Sequence, residues 1–177
     1  MAASLTVQTL LERHANGIHQ HQPIPTFAEI GAAGKLPHIA IVTCADTRCN
    51  PEDFLHLNTG EVIIFRNPGG STMSALPGLL AIDSLVTLED IIVVKHTDCG
   101  ATIFRDDAIR DTIKQRVPNR AVEVDAMTFG NITTSLEDSV RENLRFLKGS
   151  DLVRKELADR CVGFVFDIKN GALTPVE

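Results

Sequence analysis

Cys44, His96 and Cys99 are the residues of this chain best suited to chemistry, and each set follows a hydrophobic run. Cys44 lies in HIAIVTCADTR, and the other two lie in EDIIVVKHTDCG. Two thiolates and one imidazole form a soft-to-borderline donor set, that of a zinc site with its fourth tetrahedral corner left for water. An open corner separates a reacting metal from a structural one, so an enzyme is expected. The spacing from His96 to Cys99 lets one turn at a strand-to-helix junction aim both side chains at one ion.

Asp46 and Arg48 extend the set. Zinc with two thiolates is formally neutral and acidifies water less than a tris-imidazole site would. An ionised acceptor beside the open corner then becomes useful. Asp46 could bind the zinc itself or accept a hydrogen bond from its water, and a bidentate contact from Arg48 would keep the carboxylate ionised and correctly turned. Gly69 and Gly70, after Asn67-Pro68, suit either a close backbone approach with amides open to a small anion or a turn needing positive φ. Cys49 and Cys161 read as packing residues, His19, His21, His38 and His56 as surface histidines, and Asp106-Asp107 as a solvated helix start.

The elements that must position these residues alternate in type. Buried-type strands are expected over Ile39–Thr43, Glu61–Arg66, Asp90–Lys95 and Cys161–Ile168, rich in Val, Ile and Phe. Helices are expected over Pro51–Leu57, with Pro in the first turn, over Ser74–Leu88, apolar and buried, and over Thr134–Lys148. The last has a capping box of Thr134 with Glu137, a stripe of Leu136, Val140, Leu144 and Leu147, and a closing Gly149. A short amphipathic helix carrying Leu5, Leu10, Leu11 and His14 precedes a Gly- and Pro-containing linker at 17–38. The reading is α/β: a central, mostly parallel β-sheet with helices on both faces, the zinc-binding catalytic domain at 38–177 and an N-terminal helix-and-linker arm at 1–37. In such folds sites form at the carboxyl ends of strands, where Cys44 and His96 fall.

Composition narrows the partners. With 177 residues the chain has the size of one domain, and 44% hydrophobic with 23% charged residues is ordinary for a globular protein. A net charge of -6, with no basic run, argues against nucleic acid or an anionic membrane as partner. The opening MAASLTVQTLLERHANG lacks a charged head before an unbroken apolar run, so neither a secretory leader nor a transit peptide is expected. The apolar runs are too short to span a bilayer, which leaves the reducing cytoplasm, where thiols serve as ligands or nucleophiles.

Cys-x-Asp-x-Arg at 44–48, followed about fifty residues later by His-x-x-Cys at 96–99, resembles the β-class carbonic anhydrases. FRNPGG at 65–70 is similar to that family's Arg-Asn segment, and CVGFVFDIKNGAL at 161–173 resembles its closing strand and hairpin. The likeness runs from about residue 38 to 173. It implies Cys44, His96 and Cys99 as ligands of one zinc per chain and Asp46 with Arg48 as a catalytic dyad, Asp46 becoming the fourth ligand in a closed state. It further implies reversible hydration of CO2 to bicarbonate and a proton by hydroxide held on zinc, in a homodimer or homotetramer with sites at subunit boundaries. Ala45, Thr47 and Lys95 depart from the residues common in the family, and HTDCGATIF with RNPGG is closer to a smaller subgroup that includes mycobacterial and minor fungal forms. Carbonyl sulfide and carbon disulfide hydrolases share the scaffold, so those substrates remain open. A zinc-stabilised interaction protein without catalysis is the reading from another class, and Asp46 with Arg48 counts against it.

Overall fold

The computed structural model describes residues 5–177, so the first four residues of the expected arm and leader stretch lie outside it. Two compact units divide the chain, Met1–Lys35 and Leu36–Glu177. The first contains α1 (Val7–Gly17), capped by the Thr6 hydroxyl, and α2 (Phe27–Ala32). The start of α2 is a capping box in which Thr26 and Glu29 satisfy each other's backbone amides, a helix inside the segment read as linker. None of the residues of α1 or α2 is buried.

The second unit begins with β1 (Ile39–Cys44), followed by α3 (Pro51–Phe54), β2 (Ile63–Asn67), α4 (Thr72–Val86) and β3 (Asp90–His96). It continues with α5 (Asp106–Arg116), α6 (Ala121–Asp125), α7 (Leu136–Lys148), α8 (Lys155–Asp159), β4 (Cys161–Phe166) and β5 (Leu173–Val176). The sheet order is β2-β1-β3-β4-β5, parallel throughout except for the antiparallel last pair. After β1 the chain adds β2 on one side and then crosses to add β3 on the other. Strand order therefore reverses between β1 and β3, where an open α/β sheet leaves a crevice at its carboxyl edge. Thr43 pairs with Val94 across that boundary, so Cys44 and the end of β3 emerge side by side.

The two faces of the sheet are covered unequally. On one, α4, α7 and α8 bury Ala75, Leu79, Val140, Leu144, Leu147 and Leu157 against Ala40, Val42, Ile91 and Val93. Helix α7 sits directly on β4: a Cβ at Gly163 would fall 2.2 Å from Val140 Cγ1. On the other face, Phe54 of the single-turn α3 stacks on Phe166 in a cluster with Ile41 and Val94.

Two expectations need correction. The cap of α7 is Ser135 with Asp138, one residue later than Thr134 with Glu137, because the Ser135 hydroxyl accepts the Asp138 amide at 3.0 Å. The stripe of Val140, Leu144 and Leu147 is buried as expected. Helix α4 is apolar all round but buries one side only. Ala75, Leu79 and Val86 face inward while Met73 and Leu85 are exposed, since one sheet face can cover only one stripe of a helix.

Candidate metal centre

Cys44 ends β1, His96 ends β3, and Cys99 follows in the turn after it. The Cys44 and Cys99 sulfurs lie 3.7 Å apart, and the three donor atoms all fall within 4.8 Å of one another. All three residues are buried, His96 completely. Its Nδ1 lies 2.9 Å from the Thr97 carbonyl, to which an Nδ1–H donates, leaving the Nε2 lone pair facing the sulfurs. Among the described residues, Nε2 is the buried side-chain nitrogen or oxygen without a hydrogen-bond partner.

That orphan is where the fit to a metal can be tested. A buried acceptor left unpaired is costly, and a cation removes the cost. Tetrahedral zinc with Zn–S bonds of about 2.3 Å separates two thiolates by roughly 3.8 Å, which the observed sulfur spacing matches. The donor set therefore fits zinc in identity, number and spread. The thiols are already biased toward ionisation. The Cys99 thiol and the amides of Asp46 and Gly69 draw Cys44 well below an ordinary thiol, to about 4, while Cys99, sharing that proton, is pushed up.

Asp46 stands at the solvent edge of this trio. Both carboxylate oxygens are held by Arg48: Nε donates to Oδ1 at 3.0 Å and Nη2 to Oδ2 at 2.6 Å. The Arg48 amide adds a bond to Oδ1 at 2.9 Å. These bonds hold the Asp46 carboxyl down to about 2. Oδ2 is also 3.9 Å from His96 Nε2, so the carboxylate borders the space between the three donors.

Three further side chains build the site, and the sequence reading missed the roles of all three. Arg48 Nη1 also donates to Asp98 Oδ2 at 2.7 Å and Nη2 to the Asp98 carbonyl at 3.0 Å, tying the loop after β1 to the turn after β3. Arg66, on β2, donates to the carbonyls of Cys44, Asp46 and Cys49 and to Asn50 Oδ1, fixing the loop that carries the dyad. Lys95 is 2% exposed and donates to the carbonyls of Gly69 and Gly70. The signal for the first two was cross-loop pairing, which spacing along one chain does not show. For Lys95 the signal was a lysine ending an unbroken apolar strand.

Gly69 and Gly70 adopt φ of +67° and +63° in a buried turn packed on Thr43 and Cys44. The Gly69 amide is directed at the Cys44 sulfur. A Cβ on Gly69 would lie 2.4 Å from the Gly130 carbonyl. Cys49 and Cys161 stay outside the cluster: Cys49 Sγ meets the Thr43 hydroxyl at 3.2 Å, and Cys161 donates to the Leu157 carbonyl. His19, His21 and His56 are exposed, whereas His38 is half-buried with Nδ1 3.0 Å from the Thr87 carbonyl. Asp107 is exposed, but Asp106 is not a solvated helix start: its carboxylate accepts the amides of Phe129 and Asn131.

A family model described as Carbonic anhydrase matches residues 39–173. Beta-carbonic anhydrase 1 of Mycobacterium tuberculosis is 34% identical over 152 residues, spanning 82% of this chain and 89% of the relative. The chain belongs to the β-carbonic anhydrase family. It is thereby an enzyme by descent, with Cys44, Asp46, Arg48, His96 and Cys99 inside the matched span. A solved carbonic anhydrase from Streptococcus mutans superposes with a TM-score of 0.75 at 27% identity, each chain covered 100%. The family also has relatives with another substrate: a carbon disulfide hydrolase of Acidianus sp. is 24% identical over 153 residues, covering 75% of this chain and 74% of that one. No helix among the described residues is long and apolar enough to cross a membrane.

Proposed function

We propose that this chain hydrates CO2 reversibly to bicarbonate and a proton, with Cys44, His96 and Cys99 holding zinc and Asp46 and Arg48 acting as the dyad. The observation that carries the reading is the Asp46 carboxylate, fixed through both oxygens by Arg48 and 3.9 Å from His96 Nε2. Zinc held there would supply the Lewis acidity that makes water nucleophilic near neutral pH.

The residues of the chain then have separate tasks. Asp46, ionised at any physiological pH, accepts a hydrogen bond from the attacking water and turns its lone pair toward the substrate carbon. A carboxyl held near 2 stays ionised, so Asp46 is always available as the acceptor that orients the water. Arg48 fixes the carboxylate plane, and its grip on both oxygens favours the dyad over Asp46 as a fourth ligand. Gly69 and Gly70 serve by close backbone approach to the Cys44 sulfur. CO2 is linear and apolar, so binding needs little beyond a dry approach to the open corner.

The kinship with carbon disulfide hydrolases supports a second reading, in which the same site hydrolyses carbon disulfide or carbonyl sulfide. We place the active form in a homodimer or homotetramer. Exposed Leu5, Val7, Leu10, Leu11, Ile18 and Phe27 in the N-terminal unit are apolar surface suited to a second copy. Four free thiols accord with a cytoplasmic setting. The deciding experiment pairs zinc analysis with stopped-flow CO2 hydration and sulfide release from the sulfur substrates. One zinc per chain with fast CO2 turnover is expected. Turnover of the sulfur compounds alone moves the assignment to the second reading, and a zinc-free chain defeats both.

A further inference from the structure

Lys95 is the least expected of the described side chains: a lysine with 2% exposure and, among the described residues, no carboxylate partner within salt-bridge distance. A buried cation needs compensation, and the groups around it show where that comes from. In register, Thr43 faces Val94, so the next rung sets Lys95 beside Cys44, on the same face of the sheet. Nζ donates to the Gly69 carbonyl at 2.5 Å and the Gly70 carbonyl at 2.8 Å. The amide of Gly69 is in turn directed at the Cys44 sulfur.

Resting on the zinc reading above, we propose that Lys95 is a positioning residue for the metal centre, a fixed buried cation that offsets the two thiolates and clamps the Gly69–Gly70 turn against Cys44. Both effects act on the sulfurs from the buried side of the sheet end. With two thiolates the site is formally neutral once zinc is bound, and an adjacent ammonium restores positive potential at the open corner without occupying it. The clamp matters because both glycines sit at positive φ, and the single 3-10 turn of Pro68–Gly70 is distorted at Gly69.

The test compares wild type with Lys95→Met, which removes charge and clamp, and Lys95→Gln, which keeps a donor for the carbonyls but no charge. A cavity of about 260 Å³ beside Lys95, lined by Thr72, Ser139 and Asn143, gives the shorter Gln polar surroundings. Zinc affinity is read by competition with a chromophoric chelator, thermal stability with and without zinc, and ligand geometry from the thiolate-to-metal band of the cobalt(II) form. Removing a group that supports metal ligands typically weakens metal binding by roughly 10–100-fold, which is expected for Lys95→Met, with Lys95→Gln between it and wild type. The stabilisation that zinc confers should shrink in both variants and the cobalt band should shift. Equal losses of melting temperature with and without zinc, an unshifted band and wild-type affinity overturn the proposal and leave Lys95 a packing residue. If Lys95→Met does not fold, Lys95→Gln decides by the same readouts. Wild type that binds no zinc refutes the metal reading instead, so the two failures are distinguishable.

Discussion

The Cys44–His96–Cys99 trio has two sides built on opposite principles. Toward solvent, Arg48 is half exposed and bonds two acids, Asp46 and Asp98. Toward the interior, Lys95 is shut away and bonds only backbone carbonyls. An exposed ion pair adds little net stability, so what the outer side contributes is orientation of the Asp46 carboxylate. The inner side holds a buried ammonium whose hydrogen bonds go to the Gly69 and Gly70 carbonyls. Arg and Lys are not interchangeable in these positions. The planar fork matches a carboxylate plane, whereas the compact ammonium fits between two carbonyls.

Removing the trio itself breaks both sides and should have the largest effect. Cys44→Ala, His96→Ala or Cys99→Ala is expected to abolish stoichiometric zinc and activity together, read by metal analysis and stopped-flow hydration. Asp46→Asn strikes the outer side alone. Zinc content should stay at the wild-type value while kcat falls by about 100-fold, the scale of a misoriented reacting group. Retained activity in Asp46→Asn would mean that the dyad is only a surface ion pair.

Acid should separate the two contributions by pH. Arg48 holds Asp46 near 2, below the unfolded carboxyl value of 3.8, so the stability that Asp46 adds is complete above 3.8 and is lost as pH falls through about 2. Across the mildly acidic range Asp46 therefore stays ionised, and loss of activity there reports protons displacing metal from sulfur and imidazole. Zinc release and loss of activity should follow one curve as pH is lowered. Activity lost while zinc is retained would assign the acid limb to another group.

The difference between the two sides also explains what the sequence revealed. Four strands, two of them ending at Cys44 and His96, were visible because parallel strands buried on both faces read as unbroken apolar runs. Cys44, His96, Cys99 and the Asp46–Arg48 pair were visible because each set is local in the chain. The roles of Arg66 and Asp98 were hidden, since they depend on loops from different strand ends meeting. Antiparallel β5 was recognisable only through the resemblance, as Leu-Thr-Pro-Val carries too little apolar pattern alone. The cap of α7 was misplaced by one residue because Thr134 and Ser135 can both cap, and only the backbone selects Ser135.

The smallest effect should come from Asp98, and it sharpens the comparison most. Its side chain is 69% exposed, so the charge it offers Arg48 is well screened. Its backbone, however, is left-handed at φ +56°, a conformation that Asp and Asn tolerate better than most residues. Asp98→Asn keeps that conformation and the carbonyl bond to Arg48 and loses only the ion pair. Its kcat is expected to fall by less than about fivefold, the factor matching 1 kcal/mol. Asp98→Ala strains the turn between His96 and Cys99 as well, so it should lose more activity and also some zinc affinity. If Asn were as damaging as Ala, the outer side would depend on charge, and the division between an orienting exterior and a charge-holding interior would fail.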